Sequence, residues 1–180
     1  DNFGTNADAQ LHEVGHNLGL GHSSYTGVEY GDTSCLMGYG ANLDDAKKCY
    51  NSAHNNLLNW HRTYTCTDTL CYTWLVGVTD SSNSFNMDAW VNLNIGSGYV
   101  AGFNRKKGMN SDTGLFPDKV LVHKLVDGYK TDLVAALSEW YQYVVHDFGG
   151  NIGTTMTVFV ESLEEGDDFA LVSTQYTKRS

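Results

Sequence analysis

No apolar run in this chain approaches the roughly 20 residues that a helix needs to cross a bilayer, so a transmembrane helix is excluded. Basic charge is scarce. Eleven Lys and Arg stand against twenty-one Asp and Glu, for a formal net charge of −10. Basic residues adjoin one another only at Lys47-Lys48, Arg105-Lys106-Lys107 and Lys178-Arg179. Phosphate recognition needs a basic face, so nucleic acid is excluded as a partner. There is one proline, no CxxC pair, no GxSxG elbow and no N-x-[ST] sequon. Hence Ser-His-Asp chemistry has no supporting motif, and Asn-linked glycosylation is not indicated. The chain also starts at Asp1 without Met or a signal peptide, which fits a fragment or a processed form.

What is present is a globular composition: 41% hydrophobic residues, 18% charged, nineteen Gly, and twenty-two Tyr, Phe and Trp together. Four cysteines allow three pairings; sequence proximity favours Cys35–Cys49 with Cys66–Cys71, the expected state if the chain is secreted. Asn6 to Gly19 reads as a helix, with Asn6 as N-cap, Asp8 in the first turn and Leu11, Val14 and Leu18 at helical spacing. Gly19 and Gly21 would end it. Residues 23–51 read as loop, and Ser52 to Trp60 as a second short helix.

Beyond Cys66 the texture changes to Val-, Tyr-, Trp- and Thr-rich segments divided by Gly, Asn, Asp and Ser turns. Strands are predicted at Tyr72–Val78, Ala89–Ile95, Tyr99–Asn104, Lys119–Val126, Trp140–Val145, Thr155–Glu161 and Ala170–Gln175. Leu133–Leu137 fits a strand or a helical turn equally well. The spacing implies an antiparallel sandwich or barrel, and the boundary falls near residues 62–65.

One segment carries chemistry. His12-Glu13-Val14-Gly15-His16 places two imidazoles four residues apart on one helix face, with a carboxylate beside them. A catalytic zinc takes three protein ligands and keeps one open position. His22, six residues beyond His16, is the third candidate ligand, and Gly19 lets the chain swing it back. A chance match to this longer pattern is on the order of 10⁻⁵ from residue frequencies, so a zinc site with Glu13 as base outweighs ordinary surface histidines. His54 and His61 read as solvent-facing, and His123 and His146 have no ligand-like neighbours. Asp44-Asp45 and the run Glu164–Asp168 lack the alternating spacing of a calcium loop and read as solvated acidic turns.

His12 to His22, HEVGHNLGLGH, resembles the metzincin motif HExxHxxGxxH. The resemblance implies a Met-turn beneath the zinc, and Cys35-Leu36-Met37-Gly38-Tyr39 fits it, with Met37 as an apolar floor rather than a ligand. GHNLGLGHS, GDTSCLMG, Cys49-Tyr50-Asn51 and the Leu-x-Trp helix end narrow the resemblance to the gametolysin family, peptidase M11. It covers residues 8–60 most closely and reaches GYVAGFNRKKGMNSDT further on. The resemblance implies a secreted zinc endopeptidase acting on matrix or cell-wall glycoproteins, with a Cys35–Cys49 disulfide beside the Met-turn. Tyr39 would stabilise the oxyanion, as the corresponding Tyr does in astacin-like and serralysin-like metzincins, or else would simply pack in the loop.

The fold expected on this basis is α+β. Residues 1–62 would form the C-terminal half of a metzincin catalytic domain (zinc helix, Met-turn loop, second helix), and residues 63–180 a β-rich, sandwich-like domain. Metzincins place a sheet and two helices before the zinc helix, so the N-terminal half of the catalytic domain is expected to be missing, leaving an apolar face of the zinc helix uncovered. The alternative is a non-catalytic matrix- or wall-binding protein with a relic site; an intact Glu13 argues against it. Trp74 and Trp90 are candidate carbohydrate contacts or, more simply, strand aromatics.

Overall fold

The computed structural model describes residues 6–40, 47–80, 89–163 and 168–179. Helix α1 (Ala7–Asn17) begins where the Asn6 side chain accepts hydrogen bonds from the N–H groups of Asp8 and Ala9, at 2.9 and 3.4 Å. It stops in a Schellman turn: Leu20 N–H donates to Gly15 O and Gly19 N–H to His16 O, with Gly19 at φ 84°. Leu11, Val14 and Leu18, whose spacing predicts this helix, each stay at least 40% exposed. Caps at both ends, rather than a buried stripe, define α1 here.

The chain continues through β1 (Ser23–Tyr25) and α2 (Ser52–Leu58), then β2 (Thr63–Thr65), β3 (Leu70–Val76), β4 (Ala89–Trp90) and β5 (Asn92–Gly96). There follow β6 (Tyr99–Phe103), β7 (Val120–Val126), β8 (Lys130–Leu137), β9 (Gln142–His146), β10 (Thr154–Ser162) and β11 (Phe169–Lys178). Among the described residues these strands form two mixed sheets, in the orders β1-β8-β7-β6-β5-β2 and β4-β3-β11-β10-β9. The β1/β8, β2/β5 and β3/β4 pairs are parallel and the rest antiparallel.

The sheets face one another across an apolar core. Leu93, Ala101, Val120 and Val122 of the first meet Leu75, Met156, Val158, Val160 and Val172 of the second. Alternation is clearest in β10, where Thr154, Met156, Val158 and Val160 are buried and the residues between them are not. The opposite face of the first sheet carries α2. Gly102 permits it, because a Cβ there would lie 2.5 Å from Ser52 Cβ. His123 and Leu121 share this face.

Several expectations shift. The stretch 23–51, read as loop, contains β1, whose partner β8 lies more than a hundred residues away, beyond the reach of local pattern; the first sheet therefore spans the division at residue 62. Leu133–Leu137 resolves as part of β8, and Ala89–Ile95 is two strands parted at Val91. The basic cluster is engaged by acids, Arg105 by Asp118 and Asp168 and Lys107 by Asp80 and Asp168. Asp44-Asp45 and residues 164–167 lie outside the described residues. Trp74 is exposed on the outer sheet face, whereas Arg62 covers the Trp90 ring at 4.2 Å.

Candidate metal centre

Residues four apart on α1 bring His12 and His16 together, and the Schellman turn returns the chain so that His22 joins them. Their ligating nitrogens all lie within 4.8 Å of one another, with His16 Nε2 and His22 Nε2 at 3.2 Å. Each Nδ1 is already engaged. His12 Nδ1 donates to Leu36 O and His16 Nδ1 to Leu20 O, both at 2.9 Å, and His22 Nδ1 meets Glu29 Oε1 at 2.8 Å. Occupied Nδ1–H groups leave the Nε2 lone pairs free for a metal, the outer arrangement that metal-ligating imidazoles use. The donor set therefore fits a divalent metal of zinc type. The hydrogen bond to His22 also holds the Glu29 carboxyl below its ordinary pKa, outweighing the opposing effect of desolvation.

Glu13 is exposed beside the cluster and lines a cleft of about 250 Å³ with His12, Tyr30, Leu36 and Tyr39. Tyr39 is 64% exposed, and its N–H donates to Tyr30 O at 2.7 Å. Sequence reasoning overlooked Tyr30, whose ring centroid lies 4.0 Å from that of His22 and 6.0 Å from that of His12. It overlooked Glu29 as well. Both belong to the segment Val28-Glu29-Tyr30-Gly31-Asp32, where no fixed spacing marks a role.

Met37 is wholly buried under α1, in a small cluster with Leu20 and Cys35 against which Tyr50 and Leu58 pack. The loop that carries it is pinned by Asp32, also wholly buried. Its carboxylate accepts from Ser23 Oγ at 2.6 Å, from Ser34 N at 3.1 Å, from Ser34 Oγ, and from His123 Nε2 at 3.0 Å. Burial pushes the Asp32 carboxyl up, but these hydrogen bonds and the charge of His123 outweigh it and hold the pKa at about 2.

Two expectations for nearby residues are corrected. Only Cys66 and Cys71 form a disulfide; Cys35 and Cys49 are free thiols. The Cys35 thiol accepts from Met37 N and Asn51 N and meets His54 Nδ1 at 3.5 Å, while the Cys49 thiol donates to Met109 O. Their sulfurs are thus turned to different neighbours. Burial, then the charge of Asp32, pushes the Cys35 thiol up to about 12. His54, expected at the surface, is fully buried, and burial followed by the charge of His123 brings its pKa down to about 3. His61 is half-buried and His146 exposed, and neither joins a group that could hold a metal among the described residues.

A β-rich α+β chain with three convergent imidazoles and an adjacent carboxylate belongs to the class of candidate metal-dependent hydrolases. Comparison with known families goes further: residues 3–130 match the family described as gametolysin peptidase M11. The chain belongs to that family. No curated protein and no solved structure matches it. The matched residues run from α1 through β7, so β8 to β11 lie almost wholly outside them.

Proposed function

We propose that this chain carries the active site of a zinc-dependent endopeptidase, with His12, His16 and His22 as ligands and Glu13 as catalytic base. The observation that supports the reading best is the set of three clustered imidazoles, each held through its Nδ1. Bound zinc supplies a Lewis acid for the scissile carbonyl and lowers the pKa of water towards about 7.

Glu13, in the cleft next to His12, takes the proton of the attacking water and delivers it to the leaving amine. Tyr39, on the same cleft, is the candidate donor to the developing oxyanion. Met37 acts as the apolar floor that keeps α1 at a fixed height. Extracellular matrix or cell-wall glycoproteins are the proposed substrates, and the Cys66–Cys71 disulfide agrees with a secreted protein. No helix among the described residues is long and apolar enough to cross a membrane.

The test is metal analysis of the purified protein together with casein and gelatin hydrolysis. One zinc per chain is expected, lost in His16→Ala, with chelator-sensitive cleavage; a zinc-free protein with full cleavage would overturn the reading.

A further inference from the structure

We infer that the β-sheet positions the metal centre, and that His123 of β7 is a positioning residue for His12, acting through Asp32 and the loop that ends at Met37. The inference rests on the metal-site reading above and adds a role for a part of the chain distant from the motif. His12 takes its orientation from one acceptor, the carbonyl of Leu36. Leu36 sits in a segment that is neither helix nor strand, so its carbonyl is held by whatever holds that loop.

Asp32 does so from the loop's start. Besides its four side-chain bonds, its carbonyl accepts from Cys35 N–H at 3.2 Å, which closes the turn immediately before Leu36. The loop's far end is tied at Met37 O, which accepts from Ser23 N–H at 2.9 Å. Ser23 is itself locked into the sheet: it donates to Asp32, and its Oγ accepts from Thr131 Oγ1 at 2.8 Å and Asn51 Nδ2 at 2.9 Å.

Leu36 N–H also donates to Cys49 O at 3.0 Å, and His123 is a further anchor, 91 residues away in sequence and 1% exposed. A charge-assisted bond of this kind, out of water, is directional and stiff. Together Asp32, His123, Ser23, Thr131 and Asn51 connect the loop to β1, β7, β8 and the N-cap of α2. The His12 imidazole is therefore oriented by a network rooted in the sheet, through its hydrogen bond to Leu36 O.

The experiment compares zinc affinity of the full chain, measured by competition with a chromophoric chelator, for wild type, His123→Leu and His123→Gln. Near-UV circular dichroism of the metal-free proteins establishes that each is folded. Loss of an outer-shell partner bonded directly to a metal ligand typically costs about 10–100-fold in affinity; His123→Leu, which acts on that partner through Asp32 and the loop, is expected at the lower end, about tenfold. His123→Gln keeps a donor to Asp32 and should recover most of the loss. A folded His123→Leu with wild-type affinity would overturn the inference. To keep the test decisive if the leucine variant does not fold, a wild-type measurement runs alongside. Solvent exchange of the His123 Nε2–H that binds Asp32 is followed with and without zinc. A bond that strengthens zinc binding is made harder to open by bound zinc to the same degree, so its exchange must slow as the site fills. Zinc uptake with unchanged exchange at His123 overturns the positioning role alone. Absence of zinc uptake by wild type would remove the metal-site reading itself, and this inference with it.

Discussion

Met37 occupies the space that a side chain on Gly15 would need: a Cβ built at Gly15 falls well inside contact distance of Met37 Sδ, with Tyr50 Cε1 only 3.2 Å away. Gly15 lies between Glu13 and His16, so the height of α1 above the loop is set in the middle of the motif. Tyr50 strengthens the seat by donating to Leu11 O at 2.9 Å. Gly15→Ala is expected to lift the helix, destabilise the fold by about 1–3 kcal/mol through overpacking, and weaken zinc binding. Thermal melts with and without zinc check it; a fully stable Gly15→Ala with normal zinc affinity would contradict the packing described.

Glu29 fixes His22 from an exposed position, at 61% side-chain exposure. Glu29→Ala should therefore leave the metal-free melting temperature unchanged while lowering zinc affinity about tenfold, the lower end for an outer-shell acceptor. Isothermal titration of the variant decides the point, and an unaltered affinity would show that His22 is oriented by something else.

Stability should fall on mild acidification because of His54. Its folded pKa is depressed to about 3, against an ordinary value of 6.5. As pH drops below 6.5 the unfolded chain binds a proton that the folded chain refuses until about 3. The contribution of neutral His54 is thus complete above pH 6.5 and is lost progressively below it, at up to about 1.4 kcal/mol per pH unit. Asp32, with a folded pKa of about 2, adds its own loss only at lower pH. Urea unfolding near pH 7 and near pH 5 measures the slope, and His54→Gln should flatten it. An equal slope in the variant would refute the assignment to His54.

Thiol counting checks the cysteine arrangement. Unfolded without reductant, the protein should take up two alkyl groups, at Cys35 and Cys49, and four after reduction. Native protein should leave Cys35 unlabelled, since its thiol is buried and its pKa is pushed up to about 12. Uptake of none before reduction would restore the Cys35–Cys49 bridge expected from the sequence.

Legibility followed locality. The Asn6 cap, the Gly19 exit and the His12–His16–His22 spacing all act within a few residues, and each is readable from the chain alone. Most strands are too, because alternation in segments such as Thr154–Ser162 is a local signal. Strands β1 and β2 are three residues long with parallel partners, too short to show a period, and the break at Val91 that parts β4 from β5 leaves the alternation of Ala89–Ile95 unmarked. Burial of His54 and the Asp32–His123 pair depend on segments joined only in the folded chain, and the Leu36 carbonyl that orients His12 leaves no trace in residue type.

The central claim is that Glu13 performs proton transfer beside a zinc held by three histidines. Casein hydrolysis by wild type and by Glu13→Ala, compared at equal zinc content, tests it most directly. Glu13→Ala is expected to retain one zinc per chain and to lose cleavage by at least about 10²-fold, the minimum contribution of a positioned general base. Undiminished cleavage by zinc-loaded Glu13→Ala would contradict it.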